Sequence, residues 1–330
     1  MITTFYNQKN IKLLLFVLFL TQFISCKSNR SILAIAEQSK DNCFQVNEDG
    51  KVIHNMNDVL EDTFLTNRFS ENSLVIAHAY GIVEDIRAYK EIEQKIELSG
   101  INNELLLQKV YYENRIDKRL DFADYDIQDI TNRINCETLR LFRIHSDLVD
   151  RDNKRQSKYT NAAIIVGTVS TLVIAGVLFS KNETLNDSDF KDWVGVLGGV
   201  AAAYLAVKSA KTKQKVLLNH ELNMIKSIWD KSNDQGLFSN AVWYLLNSQY
   251  FLDPEEREST MIINLITNQW KLKKQELHLE GDVSTIGILL EKEGLYDAEM
   301  IQVRISLLSE IENGIDKLHS SLFKLTQEVN

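Results

Sequence analysis

A single proline, Pro254, stands in a chain of 330 residues, and that count constrains the fold more than any motif does. Tight turns and short-strand boundaries draw on proline punctuation, so an all-β sandwich or barrel is not expected and long helices take its place. With 44% hydrophobic and 25% charged residues the chain can bury a core, which excludes wholesale disorder. The expected fold class is all-α: long antiparallel helices in a bundle or coiled-coil-like arrangement, with a central glycine-rich hydrophobic helical hairpin.

Two apolar seams carry that expectation. Leu120, Ile127, Ile134, Leu141 and Leu148 recur at one heptad position, and Ile116, Ala123, Ile130 and Ile144 at the other; Glu137 and Arg151 interrupt them. One helix from about Asn103 to Arg155 would be roughly 80 Å long at 1.5 Å per residue, unless it breaks near Asp121 to Asp126. Such a helix needs a partner along its seam. Leu308, Ile311, Ile315, Leu318, Leu322, Leu325 and Val329 supply one, alternating spacings of three and four. Leu218, Leu222, Ile225 and Trp229 read as a further helical stripe. Pro254, with Asp253 before it and Glu255 and Glu256 behind it, reads as a capped helix start, and Gly281, Gly287 and Gly294 as turns. These stripes are read as an ordinary helical core rather than as a binding surface for another protein.

Tyr159 to Ser180 and Trp193 to Val207 carry no charge. The first is long enough to span a bilayer, and the second is marginal unless Ser209 and Ala210 join it. Small residues recur every fourth position, at Ala163, Gly167, Thr171 and Ala175 and at Gly195, Gly199 and Ala203, with Gly198, Ala202 and Ala206 alongside. That pattern lets two helices pack backbone to backbone in lipid. Tyr159 and Trp193 open the segments, as interfacial rings do. Arg151, Lys154, Arg155 and Lys158 flank one side, and Lys208, Lys211, Lys213 and Lys215 the other. Positive-inside reasoning places those flanks in the cytoplasm, against what the N-terminus implies; either the hairpin inserts after export, with its basic flanks against anionic head groups, which is the favoured reading, or it is buried in protein, or Leu13 to Ile24 is not a signal.

At the N-terminus Lys9 and Lys12 precede the apolar run Leu13 to Ile24, which has the length of a signal-peptide core. It ends in Phe23-Ile24-Ser25-Cys26, which resembles the lipobox of bacterial lipoproteins, with Phe23 where Leu or Val is commoner. The resemblance implies that Cys26 is lipidated and becomes the new N-terminus. Lys27, standing where Asp marks inner-membrane retention in similar lipoproteins, implies the outer membrane of a bacterial cell envelope. Cleavage removes two lysines and no acid, leaving the mature chain more acidic than the formal −9. Cys43 and Cys136 then remain, either as a disulfide or as two buried thiols, in a compartment that permits the bridge.

The organisation expected is a signal peptide at 1–25, a lipidated tether at 26–56, a helical arm at 57–158, a hairpin at 159–209 with membrane segments 159–180 and 193–209, and a second arm at 210–330. A hydrophobic hairpin between long helical arms resembles the α-helical pore-forming toxins of the cytolysin A and hemolysin BL group.

Chemistry is sparse. His54, His78, His145, His220, His278 and His319 are scattered singly, and no cysteine pair has zinc spacing. Gly195 to Gly199 lacks a phosphate-loop arrangement, and there is no G-x-S-x-G elbow. Asp124, Asp126 and Asp129 read as a solvated helix face. No cofactor, metal or catalytic residue is assigned, and nucleic acid is not an expected partner of a chain with pI near 5.3. The expected function is a membrane-anchored envelope lipoprotein with a structural or assembly role. Its expected partners are membrane lipid, a second copy of the chain, or other envelope proteins met through helical seams. The alternative is a pore-forming or membrane-disrupting protein, and an enzyme with an unrecognised site stands third.

Overall fold

The computed structural model describes residues 56–178, 188–210, 213–220, 222–251, 261–276 and 283–330; for 172–178, 188–195, 197, 209, 210, 273–276 and 283–286 it describes the backbone only. The signal peptide, Cys26, Cys43, His54, His278, Gly281 and the Pro254 helix start lie outside the described residues.

The fold is all-α, with one small β-ribbon among the described residues. The described residues begin with α1 (Met56–Leu60), α2 (Thr63–Thr66), α3 (Glu71–Ala79) and α4 (Val83–Ser99). Asp62 caps α2 by accepting from the Phe64 N–H at 2.8 Å. Gly100, at φ 81°, turns the chain into α5 (Asn103–Leu178), which runs 76 residues, about 114 Å at the α-helical rise. The alternative of a break near Asp121 to Asp126 does not occur, and the helix is continuous there. Asp126 is buried, but its carboxylate accepts from the Tyr80 hydroxyl at 3.0 Å and from Ser239 Oγ at 2.5 Å, so the acid is satisfied without unwinding the helix. Nor does α5 stop near Arg155; with no glycine between Gly100 and Gly167 it continues into the apolar run.

Beyond α5 come α6 (Ser188–Ala210), β1 (Val216–Asn219), α7 (Met224–Asp230), α8 (Asn240–Asn247), α9 (Ile262–Glu276), α10 (Val283–Leu290), β2 (Glu293–Tyr296) and α11 (Ala298–Val329). Both predicted seams are buried along their whole length and face each other, α11 running antiparallel to α5. The polar pairs fix that register, because Arg304 meets Glu137 while His319 meets Asp124. Each buried Leu or Ile contributes about 1.5–3 kcal/mol, so this interface dominates the core. At the far end α11 is tied to the opening helices: Lys90 Nζ donates to the Val329 carbonyl at 2.8 Å, and the Ser70 N–H donates to the Glu328 carboxylate at 3.0 Å. The helix α9 crosses α11 at Gly314, where a Cβ would lie 2.7 Å from Ile266 Cδ1.

The ribbon corrects one expectation. Leu218 is not on a helix but in β1, which pairs antiparallel with β2 in the register Val216↔Tyr296 to Asn219↔Glu293. Val216 and Leu218 point inward and Leu217 and Asn219 outward, the period-2 alternation of a half-buried strand. A helix starts only after Asn223, whose side chain caps α7. Gly287 lies inside α10 and Gly294 inside β2, so neither is simply a turn.

Candidate functional site

The C-terminal part of α5 and the helix α6 form the expected hairpin, and α6 makes its principal contacts with α5. Its inner face is half-buried Ala162, Ala163, Val166, Gly167 and Ser170 on α5, against Gly198, Ala201, Ala202 and Leu205 on α6. Closest approach falls at Gly198, where a Cβ would lie 1.9 Å from Ser170 Oγ and 2.5 Å from Ser170 Cβ. Gly167 and Gly199, expected to make the contact, have nothing within 4 Å of where a side chain would begin. Thr171, Gly199 and Ala203 are exposed. Adjacent rows of small residues on α6 differ by one residue, about 100° of helix rotation, and the helix uses the row through Gly198 and Ala202. Of the proposed packing residues only Ala163 and Gly167 lie on the inner face; the side chains of Ala175 and Gly195 lie outside the described residues.

The outer face is apolar and open. Ile164, Ile165, Val169, Val196, Val200, Tyr204 and Val207 are each more than half exposed. Hydroxyls within the run do not interrupt it: Thr168 donates to the Ile164 carbonyl at 2.7 Å, Ser170 to Val166 at 2.8 Å and Thr171 to Gly167 at 2.9 Å. Each hydroxyl hydrogen is thereby satisfied by its own helix and does not require water. Among the described residues no helix is long and apolar enough to cross a membrane. The expected segments 159–180 and 193–209 run into side chains outside that description. At the base of the hairpin Lys208 Nζ stands 5.4 Å from the centroid of Tyr159 and 5.8 Å from that of Tyr204.

A second constellation lies where the ribbon meets α5 and α11. Glu137 takes Arg140 as a two-pronged partner, at 2.8 and 2.9 Å. Arg304, fully buried, donates to the Leu289 carbonyl at 3.3 Å and to Asn223 Oδ1 at 3.4 Å. Tyr296 donates to the Ile288 carbonyl at 2.9 Å, leaving its oxygen to accept from His220 Nε2 at 3.2 Å. His220 falls to about 3, through burial first and the Arg304 charge second; burial pushes the Tyr296 hydroxyl up. These groups hold one another and line no described cavity, so their work is to fix the ribbon to the long helices.

A cleft of about 150 Å³ is lined by Asp58, Val59, His78, Gly81, Val83, Glu84 and Arg87. Arg87 is tied to Asp62 at 2.6 Å, and no nucleophile with its base converges there. Among the described residues no three His, Cys, Asp or Glu side chains are placed to hold a metal ion. Of the three clustered acids, Asp124 is exposed beside His319, Asp129 pairs with Arg133, and Asp126 corrects the expectation of a solvated face. Cys136, exposed on α5, is disulfide-bonded.

No protein-family model, curated protein or solved structure matches this chain.

Proposed function

We propose that the chain is an exported, lipid-anchored bacterial envelope protein whose helical bundle serves a structural or assembly role while its hairpin rests against the membrane. The exposed apolar side chains of Ile164, Ile165, Val169, Val196, Val200, Tyr204 and Val207 carry the reading, since large apolar groups gathered on exposed helix faces mark an interaction surface. The bridged state of Cys136 supports an oxidising compartment, which agrees with an export signal. Cys26 is the lipidated residue in this reading, and Lys27, where Asp would mark inner-membrane retention, supports the outer membrane as its site.

Labelled fatty acid is expected to enter the wild-type protein and to be absent from Cys26→Ser. Equal labelling of both would end the lipoprotein assignment. A pore-forming role is the second reading, supported by a hairpin that packs mainly on α5 and satisfies its own hydroxyls. Release of dye from liposomes by the purified protein would favour it, and intact liposomes carrying bound protein would favour the structural role.

A further inference from the structure

We propose that the base of the hairpin is a docking surface for anionic lipid head groups, so that the hairpin selects negatively charged bilayers; this rests on the membrane reading above. The chain as a whole carries −9, yet no Asp or Glu occurs from residue 153 to 182 or from 193 to 220, while Lys154, Arg155, Lys158, Lys208, Lys211, Lys213 and Lys215 all fall there. Antiparallel pairing of α5 with α6 brings Lys208 to the level of Tyr159 and the chain at Gln214 to that of Asp152, so that Lys154, Arg155, Lys158, Lys208, Lys213 and Lys215 form one band between those levels; Lys211 lies outside the described residues. Lys208 lies beside Tyr159, and the Gln214 N–H donates to Asp152 Oδ1 at 2.9 Å, which holds the chain after α6 against α5. Lys154 is neutralised in part by Asp150 and Lys213 by Glu299, each at 2.5 Å. Lys158 and Lys215 are exposed with no ion pair among the described residues.

Position matters as much as charge. Ile164 and Ile165 begin the exposed apolar face about 9 to 10 Å further along α5 from Lys158, close to the depth that separates phosphates from the acyl boundary. The rings of Tyr159 and Tyr204 bracket the Lys208 ammonium at the intermediate level, where a ring body favours the acyl side and a hydroxyl the wet side. A bilayer whose phosphates contact the basic band therefore meets the apolar face without burying a charge.

The test is co-sedimentation of the full wild-type chain with vesicles of phosphatidylcholine alone and of an equal mixture with phosphatidylglycerol. Tighter binding to the mixture is expected, with the preference lost at high salt, because each basic residue near such a surface is worth about fivefold in partition. Lys158→Gln with Lys215→Gln should reduce the preference about twenty-five-fold and leave binding to phosphatidylcholine and the melting temperature unchanged. Lys95→Gln with Lys118→Gln, an equal loss of exposed charge elsewhere, should leave the preference intact. Equal binding of the wild type to both vesicles, or an unaltered preference in the Lys158/Lys215 pair, overturns the head-group site while leaving the membrane reading standing. Binding to neither vesicle overturns both.

Discussion

Arg304 Nε and Glu137 Oε1 lie 3.8 Å apart in the interior, with both side chains at most 2% exposed. Glu137 occupies the one acidic position of the long seam, and the seam survives it because Arg304 and Arg140 both turn towards the carboxylate. Removing one partner leaves a buried charge uncompensated, which costs about 3–5 kcal/mol. Glu137→Ala is therefore expected to be strongly destabilising in urea unfolding, and Glu137→Leu combined with Arg304→Met to recover most of the loss. A double variant no better than the single one would show that the pair is not the reason for the cost.

The same cluster sets a pH dependence through His220. Its neutral ring donates Nε2–H to the Tyr296 oxygen, and its buried Nδ1 has no hydrogen-bond partner and would acquire a proton in the vicinity of Arg304. The folded value of about 3 lies below the ordinary 6.5, so the neutral form is favoured by folding. This stabilisation is present above about pH 6.5 and is lost as the pH falls towards 3, by about 2–3 kcal/mol at pH 4. Wild type and His220→Gln compared in urea at pH 7 and pH 4 should differ in slope by that amount, the wild type losing more. Equal slopes would show that His220 is accessible to protons in the folded state.

Both long seams were legible because their period of three and four residues persists through many turns and every apolar member is buried. The ribbon was not legible, since four residues such as Val216–Asn219 satisfy period 2 and period 3.6 alike, and only pairing with Glu293–Tyr296 decides between them. Burial of Asp126 depends on Tyr80 and Ser239, 46 and 113 residues away, a distance over which helical periodicity carries no information. The hairpin's existence could be read from its charge-free runs. Which of two adjacent glycines faces the partner could not, because Gly198 and Gly199 each belong to a row of small residues.

Cys136 offers a chemical count. It is bridged, and the chain has three cysteines, so lipidation of Cys26 leaves Cys43 as the expected partner. Closing the loop from Cys43 to Cys136 stabilises by about 4.6 kcal/mol in the chain-entropy picture. Thiol titration of the unfolded, unreduced wild type should find no free thiol, and Cys43→Ser should expose one and lower the melting temperature. A free thiol appearing in Cys26→Ser but not in Cys43→Ser would assign the bridge to Cys26 and remove the lipid anchor with it.

Gly198 and Gly199 give the sharpest contrast in the hairpin, being neighbours with opposite surroundings. A side chain at Gly198 meets Ser170 at once, whereas one at Gly199 meets open space. Ser170 cannot give way cheaply, since its Oγ is bonded to the Val166 carbonyl and its Cβ lies within 2.5 Å of the added atom. Gly198→Leu should force α6 away from α5, at about 1–3 kcal/mol of overpacking, and amide exchange along α6 should quicken. Gly199→Leu should leave exchange unchanged and extend the apolar outer face beside Val196 and Val200, so that binding to phosphatidylcholine vesicles increases. If the two variants exchanged alike, the inner face of α6 would not be the one through Gly198. If Gly199→Leu weakened vesicle binding instead, the outer face would not be the surface that meets lipid.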